Sequence, residues 1–467
     1  MRSETPRALQ ARCWRRRALG AALALALASP LAGAPGAWAD VRRSDVVLGQ
    51  TVEQRSMPAS SCPSIDAQYA ALVDGEGTLY FGRGLDARTH IASITKVMTA
   101  IVALETGSLD QEVTVSAAAA AVGESTAGLR AGDVMTLRTA LVGMLVPSGN
   151  DAAFAIGETL GASMAAEGQD PMEAFVAAMN ATAQRLGMAD SLFSNPHGLD
   201  DGQFEAEMYS TAADVAVMCR HAMGFEEFAA IVDEPSATIE VSRGGEPAFL
   251  ELTSTDELIG VYEGACGIKT GTTDAAGPSF AGACKRPAGT LFAVVLDSSS
   301  ESQRFADTEA LYNWYYDHRI DYKLAQSEVT ATMEVDGQPR EVPVVAEVSD
   351  GSWLDRTVKA TLADPDQAVE VFSLRGNVSQ SFELNEVVGA IRTGDVLGRA
   401  TFYQANEVVA TADVVACEDV PAPGFFESIG IAWTRFVGSF SGQPAAAESV
   451  VLNQTPLIYD KTPTVTS

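Results

Sequence analysis

The chain has 467 residues, with 31 basic and 61 acidic side chains and a formal charge of −30. That length accommodates two or three domains, and a hydrophobic share of 47% supplies sizeable cores. Acidity on this scale, with no basic block beyond the N-terminus, excludes nucleic-acid binding through a basic face and disfavours adhesion to polyanions. An anionic substrate therefore needs a local cationic pocket.

The N-terminus reads as an export signal. Arg12, Arg15, Arg16 and Arg17 precede an apolar run from Ala18 to Ala28, and Ala37-Trp38-Ala39 is a small-x-small cleavage site before Asp40. An uncleaved anchor is the alternative, but the run is shorter than a membrane span. The arginine pair gives only a weak twin-arginine signal. Removal of residues 1–39 leaves 25 basic against 60 acidic residues, and an extracytoplasmic location is expected, at the membrane or in the cell wall. Cys13 leaves with the signal; Cys62, Cys219, Cys266, Cys284 and Cys417 remain, an odd number without C-x-x-C spacing. The four histidines are scattered. Neither a metal nor a cofactor is expected.

Residues 40–59 read as a linker. Ala67 to Tyr80 predicts a hairpin around Asp74-Gly75-Glu76-Gly77. A helix starts near Ser93, with Val97, Met98, Ile101 and Leu104 on its apolar side. Residues 114–164 are Ala-rich and helical in period, broken at Pro147-Ser148-Gly149-Asn150, and 171–188 form another helix. Two strands, Gly267–Gly271 and Ser279–Cys284, flank a turn; a third runs from Leu291 to Leu296, and a helix from Ser302 to His318. Hairpin, all-helical insertion, three strands and a helix together predict an α+β fold over 60–324. Its antiparallel sheet carries helices on its faces and a helical subdomain beside it. Cys266 and Cys284 are equidistant from Ala275, so they could face each other across two strands and form a disulfide, or remain separate thiols. Residues 325–417 alternate in short runs between turns such as Gly394-Asp395 and predict a small all-β domain, structural or a spacer. In 418–467, Phe425, Phe426, Ile429, Trp433, Phe436, Val437 and Phe440 make one apolar stripe on a helix too short to span a bilayer. It either rests in a membrane interface through 424–440 or docks on the protein itself. Residues 441–467 read as disordered.

Three short motifs carry the chemistry. Ser93-Ile94-Thr95-Lys96 places an amine and a hydroxyl three residues apart on one helix face. A serine hydroxyl needs a base at hydrogen-bond distance, and a lysine serves when burial and nearby cations lower its pKa. Ser148-Gly149-Asn150, in a loop after an apolar helix, offers a hydroxyl to relay a proton and an amide to hold a substrate amide. Lys269-Thr270-Gly271-Thr272 lies on a strand, where Lys269 supplies charge for a carboxylate and helps keep Lys96 neutral. Gly271 lets a substrate backbone approach. Each is weak alone; in this order, on a helix, a loop and a strand, they form the set associated with active-site serine penicillin-recognising enzymes.

The resemblance extends to Leu145–Ala153, to Phe193-Ser194-Asn195-Pro196-His197-Gly198-Leu199-Asp200, to Gly267–Gly277 and to Arg304-Phe305-Ala306-Asp307. Over about residues 60–417 the chain resembles the low-molecular-mass, serine-type D-alanyl-D-alanine carboxypeptidases, penicillin-binding proteins with a β-lactamase/transpeptidase-like fold. The resemblance implies peptidoglycan stem peptides ending in D-Ala-D-Ala as substrate and β-lactams as inhibitors. It implies an acyl-enzyme on Ser93 with Lys96 as base, and an oxyanion hole from the backbone N–H groups of Ser93 and Thr272. Lys269, Thr270 and Arg304 would hold the terminal carboxylate, unless Arg304 pairs instead with a neighbour such as Asp307. Ile91 stands where the family often has Pro, Thr272 where some members have His, and Cys266 at an often acidic position. His197 is read as a loop anchor. A β-lactamase is the nearest rival, but no E-x-x-L-N loop lies between Asn150 and Lys269. A non-catalytic cell-wall binding homologue is the other.

Overall fold

The computed structural model describes residues 42–335, 337–440 and 445–458; the export signal expected at 1–39 lies outside them. A seven-stranded antiparallel sheet runs in the order Gln50–Thr51, Val46–Val47, Leu79–Arg83, Tyr69–Asp74, Gly289–Leu296, Ser279–Arg286 and Ala265–Gly271. Its inner strands are buried on both faces, and so read as unbroken apolar runs such as Leu291 to Leu296. Helices Thr95–Thr106 and Ala212–Ala222 cover one face and Gln303–Asp317 the other, giving two cores separated by the sheet.

Residues 42–59, expected as a linker, instead join this sheet. Arg83 is fully buried and grips Asp45 at 2.7 Å, while its Nη1 donates to the carbonyls of Ile65 and Ala67. A buried guanidinium needs this saturation, because an unpaired one would be strongly destabilising.

The insertion is not all-helical. Its helices Leu137–Leu145 and Asn150–Met164 pack with a second sheet of Glu112–Thr114, Asp133–Thr136, Ser236–Arg243 and Glu246–Thr253, and a third helix, Pro171–Arg185, packs on Asn150–Met164. Thr136 caps the first helix through Thr139 N–H; Asp170 caps the third through Met172 and Glu173, with Pro171 at its first position.

Cys266 and Cys284 do not face each other. The register pairs Gly282 with Ile268 but Cys284 with Ala265, so the edge strand holds one extra residue. Gly267, at φ +95°, sits in this bulge, and a Cβ there would lie 2.5 Å from the Val232 carbonyl. A one-residue shift turns the two thiols to opposite faces. All five cysteines from Cys62 onward are free thiols.

After the helix Gln303–Asp317, Arg319–Lys323 pairs with Ala368–Phe372 and ties the first domain to the second. Phe372 packs against Tyr80, Trp314 and Tyr315 at centroid distances of 5.0, 5.7 and 5.6 Å, so the two domains share a core. The β-rich domain has a hairpin, Thr330–Val335 with Gln338–Pro343, and a six-stranded antiparallel sheet. That sheet is ordered Ser379–Leu384, Val396–Gln404, Glu407–Ala416, Thr357–Leu362, Ala346–Ser349, Val450–Val451. Its last strand falls in the tail expected to be disordered. Within 445–458 the chain is ordered because Val450–Val451 completes the sheet edge and buried Asn453 bonds Leu324 O, Gln326 N and Gln380.

Helix Phe425–Ser439 is capped by Glu427, which accepts from Gly424 N–H. It is fastened by its polar side: Arg435 donates to Gly351 O, Trp353 O and Ala445 O. The apolar stripe, Phe425 through Phe440, points away from the protein and is 50–85% exposed. Among the described residues no helix is long and apolar enough to cross a membrane.

Candidate active site

Ser93 sits in a single 3-10 turn, Ala92–Ile94, that runs into the buried helix Thr95–Thr106. Ala92 holds φ +46°, a left-handed conformation unfavourable for a residue with a Cβ. Two glycines keep the turn in place. A Cβ on Gly198 would meet Ala92 O at 1.9 Å, and one on Gly271 would meet Ile91 O at 2.7 Å. Gly271 was expected to admit a substrate backbone; what its missing side chain admits here is the nucleophile turn itself.

Lys96 is fully buried. Its Nζ lies 2.7 Å from Ser93 Oγ, 2.7 Å from Asn150 Oδ1 and 2.9 Å from the His197 carbonyl. Burial, and then the charge of Lys269, holds its pKa well below the ordinary lysine value, with Asp151 opposing. Asn150 opens the helix Asn150–Met164 and is 1% exposed. Expected to hold a substrate amide, it engages Lys96 through Oδ1 and Gly123 O through Nδ2. These contacts hold the lysine in place. Ser148 stands two residues before it, buried and at φ +66°.

The cationic side of the cleft is built on the strand Ala265–Gly271. Lys269 is 1% exposed and donates to Thr270 O at 3.1 Å. Burial, followed by the Arg304 charge, pushes its pKa down to about 7. Thr270 Oγ1 bonds Thr255 Oγ1 at 2.6 Å. Thr272 Oγ1 accepts from Arg304 Nη1 and donates to Glu301, both at 2.9 Å. The partner of Arg304 is thus Glu301, at 2.5 Å, and not Asp307. Asp307 is occupied by the N–H groups of Asp66 and Ala67 and by Ser298 and Gln303.

Sequence reasoning missed four carboxylates that organise this site. Asp151 accepts from the N–H groups of Ala127 and Leu129 and from Thr126, fixing the loop above Ser148. Asp200 lies 2.8 Å from His90 Nδ1 and accepts from Thr273, joining the segments that flank the first and third motifs. Asp256 acts on Lys269 and is raised to about 6 by burial, its Oδ2 without a hydrogen-bond partner among the described residues. Glu301 is the fourth. Apart from Asp151, directly after Ser148-Gly149-Asn150, and Asp200, after Pro-His-Gly, both inside segments that carry the resemblance, no local pattern singles them out. His197 is fully buried, its Nδ1 accepting from Leu199 N–H; burial, then Lys96, lowers its pKa to about 3. The neutral ring serves as an anchor, and its carbonyl as a ligand for Lys96.

Fold and site together are those of a serine-type peptidase with a transpeptidase-like α+β domain. The model of the D-alanyl-D-alanine carboxypeptidases, peptidase S11, matches residues 55–300, and the chain belongs to that family. It is 27% identical over 386 residues to D-alanyl-D-alanine carboxypeptidase DacF of Bacillus subtilis, covering 79% of this chain and 91% of the relative. DacB2 of Mycobacterium tuberculosis is 37% identical over 232 residues, 49% of this chain and 75% of the relative. Among solved structures, the Streptomyces K15 DD-transpeptidase superposes with TM-score 0.51 at 30% identity, over 55% of this chain and 98% of that one. The D-alanyl-D-alanine carboxypeptidase DacD of Francisella tularensis, at 24% identity, shares the fold over 77% of this chain and 94% of its own, with TM-score 0.50.

Proposed function

We propose that the protein is an exported D-Ala-D-Ala carboxypeptidase that trims the terminal D-alanine from peptidoglycan stem peptides through an acyl-enzyme on Ser93. The observation that carries this reading is the 2.7 Å approach of Lys96 Nζ to Ser93 Oγ in a buried site that disfavours the ammonium. A neutral amine has two N–H groups, matching the Asn150 and His197 oxygens, and one lone pair, free to take the Ser93 proton. Oγ then attacks the carbonyl of the penultimate D-alanine. The N–H groups of Ser93 and Thr272 stabilise the oxyanion, a contribution of several kcal/mol. Ser148 relays the proton to the departing amine as the C–N bond breaks, and water hydrolyses the ester. Lys269, Thr270 and Arg304 bind the terminal carboxylate. β-Lactams would acylate the same serine. The outward aromatic stripe of Phe425–Ser439 supports peripheral contact with the outer face of the cytoplasmic membrane.

The test mixes purified protein with a fluorescent penicillin and a D-Ala-D-Ala peptide. Stoichiometric labelling with D-alanine release is expected. Multiple turnover of penicillin would make the protein a β-lactamase, and silence in both assays a non-catalytic cell-wall binder.

A further inference from the structure

The carboxylate of Glu301 occupies Arg304, which the proposed reading gives to the substrate carboxylate, together with the neighbouring hydroxyl of Thr272. Its Oε1 accepts from Thr272 Oγ1 at 2.9 Å, and its Oε2 meets Arg304 Nη2 at 2.5 Å. Glu301 stands in the serine-rich turn just before the helix Gln303–Asp317, on the lip of the cleft. The two partners differ sharply in exposure: the Arg304 side chain is 7% exposed and that of Glu301 61%. The guanidinium is fixed in the wall, whereas the carboxylate reaches it from solvent and is free to swing out.

We propose that Glu301 is an internal stand-in for the terminal carboxylate of the substrate, closing the anion site in the free enzyme and setting the affinity for free-acid substrates. This rests on the reading of Arg304 as the partner of that carboxylate. Two carboxylates cannot share one guanidinium face and one hydroxyl without strong repulsion, so substrate enters only after Glu301 leaves. The apparent dissociation constant is the intrinsic one divided by the fraction of molecules with Glu301 swung away. Because the glutamate is exposed, its pairing is weak enough to be displaced. A neutral or amidated C-terminus does not compete for the guanidinium, so the device lowers affinity for free acids more than for amides.

The experiment compares Glu301→Gln with wild type on a D-Ala-D-Ala peptide and on its C-terminal amide, with Arg304→Ala run in parallel. Thermal melting verifies that each variant is folded. The expected result for Glu301→Gln is a fall in KM for the acid of about three- to tenfold, with kcat retained and a smaller change on the amide. Second-order acylation by penicillin, whose carboxylate uses the same donors, should rise by a similar factor. An unchanged or raised KM for the acid in Glu301→Gln, while Arg304→Ala remains acid-selective, overturns the stand-in and leaves the reading of Arg304 intact. Equal losses on acid and amide in Arg304→Ala overturn both.

Discussion

Gly198 and Ala92 meet backbone against backbone: a Cβ on Gly198 would fall 1.9 Å from the Ala92 carbonyl oxygen. Gly198 is at φ +89°, and its N–H is held by Asn195 Oδ1 at 2.7 Å. The loop that supplies the His197 carbonyl to Lys96 is therefore pressed directly onto the turn that carries Ser93. Gly198→Ala should be destabilised by about 3 kcal/mol or more, since neither backbone can yield cheaply. That corresponds to a Tm drop on the order of 6–12 °C. A calorimetric shift within 2–3 °C, roughly what 1 kcal/mol produces, would show that the two segments can part.

Ser93→Ala removes the attacking oxygen and leaves the buried lysine with its Asn150 and His197 contacts. The variant should fold normally, fail to label covalently with penicillin and release no D-alanine. Covalent labelling retained in the purified variant would assign the nucleophile to another residue.

Binding of free-acid peptides should weaken above about pH 7. There Lys269, lowered to about 7, loses the charge that attracts the carboxylate. KM for the acid should rise through that pH while KM for the amide stays nearly flat. Stability moves the other way. A lysine whose folded pKa lies below its ordinary 10.5 contributes stability that is fully present above 10.5 and is lost as pH falls through about 7. Asp256, raised to about 6, has the opposite sign: its contribution is present below the ordinary value of 3.8 and is lost as pH rises through about 6. A KM for the acid that is constant between about pH 6 and 9 would remove Lys269 from carboxylate recognition.

The outward stripe on Phe425–Ser439 predicts that Trp433→Ser with Phe436→Ser abolishes membrane association and leaves catalysis unchanged. Burying an aromatic side chain contributes about 1.5–3 kcal/mol, so the double change should lower partitioning into zwitterionic vesicles by more than about a hundredfold. Equal co-sedimentation of both proteins would refute it. Substitution is the sharper tool than deletion of 418–467, which would also remove the sheet-edge strand Val450–Val451 and Asn453.

Much of the site was legible because its chemistry is local. Ser93 and Lys96 are one helical turn apart, and the third motif lies on a strand whose apolar run is unmistakable. What stayed hidden depends on contacts distant in sequence. Glu301 meets Thr272 across 29 positions and Asp200 meets Thr273 across 73, and no periodicity reports that. Other signals were present but outweighed. Arg243-Gly244-Gly245-Glu246, with both glycines at positive φ, is a tight hairpin turn between alternating strands, yet the Ala-rich stretches before it favoured a wholly helical subdomain. Gly267 inside a strand marked the bulge, and equal spacing about Ala275 concealed it. Peptide mapping should find Cys266 and Cys284 both alkylated without prior reduction.

The helix Phe425–Ser439 is clamped by Arg435, and the chain beyond it returns to the β-rich sheet through Val450–Val451. That sheet is joined in turn to the catalytic domain by a ladder and a shared aromatic core. Under the proposed membrane contact, such an attachment is a foot and not a leash. With its aromatic sole on a bilayer, the height of the cleft above the lipid would be set by folded protein, and the enzyme would graze one fixed stratum of the wall and leave strands above and below that level untouched.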